Sequence, residues 1–417
     1  MLSDILWREN YFWEDQSKKI VPREKYLKLL TNALNQKEVQ VLMGARRVGK
    51  TYLMYSLIQH LIENGTDPKH ILYCILNDYE LNEVKIIDII TEFRIIHKLD
   101  NRDKIYVFLD EVQYVKNWDQ QIANLYDTEN IKIIVSGSSS LLIKNQSTFL
   151  TGRQLKYTIY PLNFKEFLDF RGYKVTPSKN YLYRNYIQEY FELGGFPDMV
   201  LNQNSQYLND LIDAVLFKDI VSVYKLDQPS LLKEILIWLS VHLRQPTSYN
   251  KLTKVLNQKS DVTIKQYLEY LKEVYQILEI RRFSLSMAEQ MISPKKYYFT
   301  DLGMRNTLIN GFKDFGAVAE NVLYLHLCSK FGQDNVFYYY ENKLEVDFIV
   351  KQNQDLLAFE CKYTDDIEID SKGLSGLKQL QNSELGSQLK LVNVITKNIQ
   401  KSDGVVEFTP LYKLLLD

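Results

Sequence analysis

The sequence has 417 residues, of which 46% are hydrophobic and 25% charged, the proportions of an ordinary globular protein. This length is too great for a single compact core, since a domain usually holds about 150 residues, and it indicates two or three domains. The 51 basic and 52 acidic residues give a net charge of -1. That balance excludes a general nucleic-acid coat and confines any nucleic-acid site to a local patch.

The sequence contains no signal that would direct it into or across a membrane. No apolar stretch reaches the roughly 18 residues of a membrane span, and the early acid Asp4 is unlike a secretory signal peptide. We therefore expect a cytoplasmic protein without a membrane partner. The cysteines Cys74, Cys328 and Cys361 lack the spacing of a zinc site or a disulfide framework, and we interpret them as buried thiols.

The segment GARRVGKT, residues 44–51, matches the pattern GxxxxGK[ST] in full. An apolar run at 39–43 comes before it, and apolar residues at helical spacing follow it, which is the context that the motif requires. Its backbone N–H groups can turn onto phosphates, Lys50 can offer a charge, and Thr51 can offer a hydroxyl to magnesium. The predicted ATP and Mg²⁺ site consists of Gly44, Ala45, Arg46, Arg47, Val48, Gly49, Lys50, Thr51 and Tyr52.

A second apolar run, residues 105–109, ends in Asp110 and Glu111 and is typical of a Walker B strand. In a parallel sheet these acids would lie at the carboxyl edge, beside the phosphates. Asp110 could then hold magnesium through water, and Glu111 could polarise an attacking water. A third run, 131–135, ends in SGSSS and would place Ser136 at the same edge, where its hydroxyl could sense the γ-phosphate. With a further apolar stretch at 71–76, the alternation predicts an α/β fold with a parallel sheet and helices on both faces.

At this point the chain resembles the AAA-like P-loop ATPases of bacteria and archaea that carry a carboxy-terminal domain of uncertain function. The resemblance rests on GARRVGKT, VFLDEVQ, SGSSS, LTGRQLKYTIYPLNFKEF and GGFP, and it covers most of the chain. It implies that Asp110 binds magnesium, that Glu111 is the catalytic base, and that Ser136 occupies the sensor position. Arg153, in LTGR, becomes a candidate for a charge that reaches the γ-phosphate, including that of a neighbouring subunit in a homo-oligomer. A surface or turn-capping role for this arginine is the alternative.

The middle of the chain changes to helical spacing after an ATPase domain at residues 1–175. Residues 176–228, interrupted by GGFP, are predicted to form a helical lid or linker. Residues 229–305 contain three helical segments and then two strands, the order of a winged helix. Acidic residues share this segment, so two roles stay open, DNA contact and a packing or hinge role. Six basic residues could meet DNA phosphates: Lys259, Lys265, Arg281, Arg282, Lys295 and Lys296.

The stretch KLEVDFIVKQNQDLLAFECKYT, within residues 306–417, is predicted to form two strands joined by a polar turn. Residues two apart share a strand face, so Glu360 and Lys362 project together, and Asp347 can lie opposite them. Two carboxylates and a lysine suit a magnesium nuclease, with Glu320 on the preceding helix as an outer helper. The set resembles the PD-(D/E)xK nuclease superfamily, although Val346 stands where that pattern has proline. A nuclease-like domain kept for binding or assembly is the alternative.

Three hypotheses about function follow from these motifs. The first is a Mg²⁺-dependent ATPase that acts as a nucleotide-driven switch on the winged helix and the nuclease-like domain, with DNA as a candidate partner. The second is a metal-dependent DNA endonuclease licensed by ATP, and the third is a scaffold that binds nucleotide without hydrolysis. We favour the first, because the intact acid pair speaks against a scaffold. Its predicted catalytic residues are Lys50, Glu111, Ser136 and Arg153.

Overall fold

The computed structural model describes residues 2–14, 18–137, 148–311, 314–365, 374–403 and 406–417. The chain divides into two compact units, residues 1–160 and 161–417. The domain boundaries predicted at 175, 228 and 305 stay predictions. Within the described ranges, every helix is too short or too polar to cross a membrane.

The first unit combines a parallel β-sheet with α-helices, as the alternation of strands and helices predicts. Its strands are β1 (Val39–Met43), β2 (Ile71–Ile75), β3 (Ile105–Asp110), β4 (Ile131–Gly137) and β5 (Gln154–Thr158). Its α-helices are α1 (Leu2–Glu9), α2 (Glu24–Asn32), α3 (Lys50–Glu63), α4 (Ile86–His97) and α5 (Trp118–Thr128). The strands pair in the order β2-β3-β4-β1-β5, and every pair is parallel. Because β4 lies between β1 and β3, the carboxyl ends of these three strands meet at one edge.

The edge strand β2 is covered by side chains of the amino-terminal segment. The Asn10 amide donates to the Tyr73 carbonyl oxygen (2.9 Å), and its oxygen accepts from the Tyr73 N–H (2.7 Å). Trp13 Nε1 donates to the carbonyl oxygen of Ile71 at 2.8 Å, and a Glu9 carboxylate oxygen accepts from the Ile75 N–H at 3.0 Å. The outward backbone groups of three alternate residues are therefore hydrogen-bonded without a sixth strand.

The second unit combines many helices with one large sheet. Its helices are α6 (Phe164–Phe170), α7 (Tyr183–Leu193), α8 (Pro197–Asn202), α9 (Ser205–Ala214), α10 (Ser222–Tyr224), α11 (Ser230–Val241), α12 (Tyr249–Val255), α13 (Asp261–Glu273), α14 (Met287–Ile292), α15 (Leu302–Leu308), α16 (Phe315–Phe331), α17 (Ser375–Asn382) and α18 (Leu411–Leu414). A π-helical turn, Val215–Val221, joins α9 to α10. Its strands are β6 (Ile277–Arg282), β7 (Lys296–Phe299), β8 (Val336–Glu341), β9 (Leu344–Gln352), β10 (Asp355–Lys362), β11 (Leu389–Thr396), β12 (Lys401–Asp403) and β13 (Val406–Pro410).

One sheet runs through the second unit in the order β12-β13-β11-β10-β9-β8-β6-β7. The antiparallel ribbon β6–β7 joins it because β6 also pairs in parallel with β8, where Arg281 lies opposite Phe337. Hydrogen bonds of the sheet therefore cross residue 305, the predicted boundary between two domains. The core on one side of the carboxy-terminal strands includes Val346, Ile349 and Ala358, all fully buried.

Three helices come before the ribbon, as the apolar spacing predicts. Ser248 caps α12 by accepting from the Lys251 N–H at 3.2 Å. Ser260 caps α13 by accepting from the Val262 N–H at 3.2 Å. Thr247 forms an isolated antiparallel bridge with Lys295, next to the start of β7.

The GGFP segment forms a tight turn between α7 and α8. A Cβ on Gly195 would lie 2.3 Å from the carbonyl oxygen of Leu162, so no side chain fits there. The Gly195 N–H donates to the buried carboxylate of Asp301 at 2.6 Å. Asp301 also caps α15 by accepting from the Met304 N–H at 2.9 Å. The segment therefore joins two parts of the second unit that lie far apart in sequence.

Candidate nucleotide site and carboxy-terminal acid cluster

The loop between β1 and α3 begins at a position that only glycine can occupy. Gly44 has φ +153°, and a Cβ there would lie 2.2 Å from the carbonyl oxygen of Ile159. The Ile159 N–H donates to the carbonyl oxygen of Met43 at 2.7 Å, so the chain after β5 lies directly against the loop. The loop is therefore held in shape by its neighbours in the sheet.

Lys50 begins α3 and folds back over the loop. Its ammonium donates to the carbonyl oxygens of Gly44 (3.0 Å) and Ala45 (2.9 Å), and the residue is 5% exposed. The first N–H groups of a helix have no partner within the helix, and the helix dipole favours an anion at this end. The loop, the start of α3 and Lys50 thus lie together as the predicted phosphate cradle requires, and phosphate binding there stays a prediction.

Asp110, at the end of β3, accepts hydrogen bonds from three hydroxyl groups. Thr51 Oγ1 donates to Oδ2 at 2.5 Å, and Tyr73 Oη donates to the same oxygen at 3.0 Å. Ser136 Oγ, on β4, donates to Oδ1. All of these contacts except that of Thr51 come from buried residues. The structure thus brings the Walker B acid into direct contact with the helix that follows the glycine loop.

Thr51 and Asp110 offer a hydroxyl and a carboxylate oxygen beside the cradle. Magnesium prefers oxygen ligands and is usually held by one or two protein groups together with substrate phosphates. This donor set fits the Mg²⁺ that accompanies ATP. The residues that would hold the ion are the two predicted from the sequence.

Glu111 and Ser136 lie at the same edge of the sheet, and both form hydrogen bonds to protein groups there. The Glu111 N–H donates to Ser136 Oγ at 3.3 Å, and its carboxylate accepts from Gln113 Nε2 at 2.5 Å. Ser136 is fully buried, with its own hydroxyl turned to Asp110. The base role of Glu111 and the sensor role of Ser136 stay predictions. The serines at 138–140 lie outside the described residues.

Arg153 lies at the opposite edge of the sheet from the cradle. It directly precedes β5, and its carbonyl oxygen accepts from the N–H of Val39, the first residue of β1. Its guanidinium pairs with Asp127 at 3.1 Å, and its side chain is 38% exposed. Since β1 carries the cradle at its other end, this arginine cannot reach a phosphate bound by the same chain. That part of the hypothesis is wrong, and a contribution to a neighbouring subunit stays a prediction.

Arg23 supports the cradle and was not identified from the sequence. It is buried, and its guanidinium donates to the carbonyl oxygens of Val48 (3.1 Å) and Tyr160 (2.9 Å). Val48 lies within the glycine loop, so these hydrogen bonds of Arg23 help to hold the loop in place. Sequence alone offered only a lysine- and arginine-rich stretch here, without a motif to mark this residue.

In the carboxy-terminal part, strands β9 and β10 bring the predicted acids and lysine together. The Asp347 N–H donates to Glu360 at 3.2 Å, and the Cys361 N–H donates to Asp347 at 2.8 Å. Lys362 Nζ lies 2.5 Å from Glu360, because the two residues share a strand face. Burial first, and then the charge of Asp347, raise the pKa of Glu360 above its ordinary value.

Glu320, on α16, also belongs to this cluster, and its shortest contacts come from the β6–β7 ribbon, with Arg244 Nε farther away at 3.9 Å. Tyr298 Oη donates to it at 2.5 Å, and Lys296 Nζ lies 3.5 Å from the same oxygen. Lys296 also pairs with Glu345 on β9. Burial, and next the charge of Asp347, raise the pKa of Glu320 to about 7. Lys296, Tyr298 and Glu345 were not identified as site residues from the sequence.

The acids of this cluster point at ammonium, hydroxyl and amide donors. Among the described residues, no three His, Cys, Asp or Glu side chains are grouped so that they could share a metal ion. The predicted magnesium site, with Asp347 and Glu360 as ligands and Glu320 as an outer helper, stays a prediction. The contacts among Asp347, Glu360 and Lys362 do match the predicted arrangement of two acids and a lysine.

Two lysines expected on the DNA-facing wing are instead buried. Lys296 is 0% exposed and held by the acid cluster, and Lys295 donates to the carbonyl oxygens of Met291 (2.5 Å) and Ser293 (2.6 Å). Neither ammonium is available to phosphates, so this part of the hypothesis is wrong. Lys259 and Lys265, at the start of α13, are exposed.

Comparison with protein families divides the chain into three matched segments. Residues 36–168 match the model described as "AAA domain". Residues 184–314 and 315–414 match two models described as "Domain of unknown function", DUF8612 and DUF4143. The resemblance of the carboxy-terminal part to nucleases therefore receives no support from these models.

Curated relatives match nearly the whole chain but carry no functional name. An uncharacterized protein of Methanocaldococcus jannaschii, MJ1544, is 29% identical over 95% of this chain and 91% of its own length. An uncharacterized protein of Haemophilus influenzae is 26% identical over 83% of this chain and 88% of its own length.

Two solved structures show a low overall similarity to this chain. A Walker-type ATPase of Pyrococcus abyssi has a TM-score of 0.45 and 16% identity, covering 74% of this chain and 100% of that protein. The replication initiator DnaA bound to AMPPCP and single-stranded DNA has a TM-score of 0.29 and 16% identity, covering 63% of this chain and 91% of that one. Residues 36–168, which match the AAA domain model, contain the five parallel strands and the glycine loop, so this part of the chain is similar to AAA domains.

Proposed function

We propose that this protein is a Mg²⁺-dependent ATPase that acts as a nucleotide-driven switch. The observation that carries the proposal is the contact of Thr51 with Asp110, which joins the two nucleotide motifs at one sheet edge. A scaffold that binds nucleotide without hydrolysis would not need the acid Glu111 beside this contact. The proposed output is a change in the position of the second unit.

Each residue of the edge has a separate task in this proposal. Lys50 neutralises charge on the phosphate oxygens, and the N–H groups of the loop bind them. Thr51 and Asp110 hold Mg²⁺, which supplies positive charge to the β- and γ-phosphates when it is bound with ATP. Glu111 orients the attacking water and accepts its proton, after its carboxylate leaves Gln113.

Two substitutions separate binding from turnover. Lys50→Ala should abolish measurable ATP binding, because it removes the cation of the cradle. Glu111→Gln should keep ATP binding but lower turnover by about 100-fold or more, the usual contribution of a general base. Nucleotide affinity and phosphate release measured on the same samples test both expectations.

Matched controls are available on the same domain surface. Lys69→Ala and Glu63→Gln make the same chemical changes at exposed positions away from the cradle, and they should leave both quantities unchanged. Full turnover by Glu111→Gln would remove that residue from the base role. Absence of turnover in the wild type, with or without DNA, would rule out the ATPase proposal.

The segment before the acid cluster supports the finer proposal of a winged helix. Helices α11, α12 and α13 come before the antiparallel ribbon β6–β7, and Thr247 bridges to Lys295 beside the ribbon, as a short first strand would. With Lys295 and Lys296 buried, the exposed lysines Lys259 and Lys265 near the start of α13 remain as phosphate contacts. We propose DNA as the macromolecule that this segment binds.

A second candidate function is a DNA endonuclease regulated by ATP. The observation that favours it is the assembly of Asp347, Glu360 and Lys362 on neighbouring strands. Glu320 joins them from α16. The placement of these side chains supports no metal-dependent step by itself, so the proposal depends on a direct assay of DNA cleavage.

Cleavage of supercoiled plasmid tests this candidate. If the protein is a nuclease, wild type should nick plasmid when divalent metal is added, and Asp347→Ala should lose this activity. Asp355→Ala, at the far end of the same strand pair and partly exposed, is the control and should nick as wild type does. Intact plasmid with wild type across Mg²⁺, Mn²⁺ and ATP would exclude the candidate.

A further inference from the structure

We infer that Tyr73 is a positioning residue for Asp110, and that Asn10 holds Tyr73 in place for this role. The inference rests on the proposed nucleotide site and extends it to two residues outside both nucleotide motifs. It assigns a function to the amino-terminal segment, which the proposed mechanism leaves unused.

Tyr73 reaches Asp110 from the neighbouring strand. Tyr73 lies opposite Phe108 in the β2–β3 pair, two residues before Asp110 and therefore on the same face of the sheet. Its hydroxyl donates to Asp110 Oδ2 at 3.0 Å, and both residues are almost fully buried, at 2% and 1% exposure.

The three donors on Asp110 have different relations to the ion. Thr51 is itself a proposed magnesium ligand, and its hydroxyl can be drawn away from Asp110 when nucleotide binds. Ser136 and Tyr73 are not proposed ligands of the ion, and they contact different oxygens of the carboxylate. Together they fix the rotation of the carboxylate about its last side-chain bond. This geometry holds the Asp110 carboxylate in a fixed orientation before the ion binds.

Asn10 fixes the backbone of Tyr73 through two hydrogen bonds. It accepts from the Tyr73 N–H and donates to the Tyr73 carbonyl oxygen, while its amide also donates to the carbonyl oxygen of Leu6 at 2.7 Å. Asn10 is fully buried, so water does not compete for these bonds. The tyrosine ring is therefore anchored at its backbone by Asn10 and at its hydroxyl by Asp110.

The test is the Mg²⁺ dependence of nucleotide binding by the full-length chain. Anisotropy of a fluorescent, non-hydrolysed ATP analogue is measured in EDTA and then against rising Mg²⁺. Tyr73→Phe removes only the hydroxyl, so affinity in EDTA should equal that of wild type. The Mg²⁺ concentration for half-maximal effect should rise about tenfold, the size of one hydrogen bond to a charged group.

A second variant and a control make the outcome decisive. Tyr106→Phe removes a hydroxyl from the adjacent strand β3 without touching Asp110, and its Mg²⁺ midpoint should match that of wild type. Asn10→Ala should shift the midpoint in the same direction as Tyr73→Phe, and it decides the question if Tyr73→Phe does not fold. An unchanged Mg²⁺ midpoint with a lowered melting temperature would reduce Tyr73 to a packing residue and overturn the inference. Because binding is measured, loss of the proposed hydrolysis in wild type would leave this test intact.

Discussion

Lys296 shows how strongly a single residue can depend on partners from other elements. Its ammonium is completely buried and lies against Glu320 of α16 and Glu345 of β9, with the ring of Tyr338 at 5.4 Å. Burial alone would lower the pKa of this lysine, but the charges of Glu320 and Glu345 raise it above its ordinary value. The residue is therefore a cation that the acid cluster requires.

Removal of this cation should destabilise the second unit. Lys296→Met removes the cation between Glu320 and Glu345 and leaves Glu320 the longer contact of 3.9 Å with Arg244. Loss of one partner of a buried pair typically costs about 3–5 kcal/mol. Lys233→Met, which breaks an exposed pair with Asp213, should cost less than about 1 kcal/mol. Urea unfolding of both variants gives the comparison. Equal stability of the two would show that the acids of the cluster are protonated or hydrated and do not need the lysine.

At the scale of elements, Asp301 makes the junction between the GGFP turn and α15 sensitive to pH. Burial raises the pKa of Asp301 to about 6, above the value of about 3.9 expected in the unfolded chain. The folded protein then binds one more proton than the unfolded chain between these two values. Its stability should therefore fall as the pH rises through this window, with the full effect present above pH 6.

The comparison of wild type with Asp301→Asn isolates this effect, since other titrations cancel. Between pH 3 and pH 7 the stability of wild type relative to Asp301→Asn should fall by about 3 kcal/mol, because a pKa difference of about two units corresponds to that energy. Chemical denaturation at several pH values measures it. A difference that stays constant over the window would mean that the carboxyl group titrates at its ordinary pKa.

Elements formed by local sequence were predicted well. The strand, glycine loop and helix around residues 39–63 follow from one motif and from helical spacing, and the pair β9–β10 follows from alternation and a polar turn. Pairing between distant segments was not predictable in the same way. The contact of β6 with β8 joins residues more than fifty positions apart, and no local pattern specifies such a partner.

The same contrast between local patterns and distant contacts applies to the site residues. Lys50, Thr51 and Asp110 were predicted because their motifs describe the chemistry itself. Arg153 was predicted to reach the γ-phosphate because β5 was not recognised. A residue that precedes a parallel strand lies at the amino end of the sheet, away from the phosphates. Tyr73 had no signal beyond its position in a strand, since its partner Asp110 is 37 residues away.

At the scale of the whole molecule, the shared sheet determines which parts of the second unit can move separately. The three helices, the ribbon and the acid cluster are linked by the pairing of β6 with β8 and by Lys296. A nucleotide-driven switch would therefore displace them together. DNA bound by α13 would move with the acid cluster and not relative to it.

DNA binding by the three helices and the ribbon can be tested through the salt dependence of duplex affinity. If Lys259 and Lys265 contact phosphates, replacing both with Glu should weaken duplex binding and reduce the slope of log affinity against log salt by about 2. The same change at Lys378 and Lys390, exposed lysines elsewhere in the chain, should leave the slope unchanged. Wild-type protein that binds no duplex at low salt would remove DNA from the proposal.

The covering of β2 by Asn10, Trp13 and Glu9 has a practical consequence for handling the protein. An uncovered edge strand is a template for intermolecular pairing and aggregation. Deletion of the first fourteen residues would leave such a template on every molecule. Samples prepared that way should form oligomers through their sheets, and such oligomers would not represent a biological assembly.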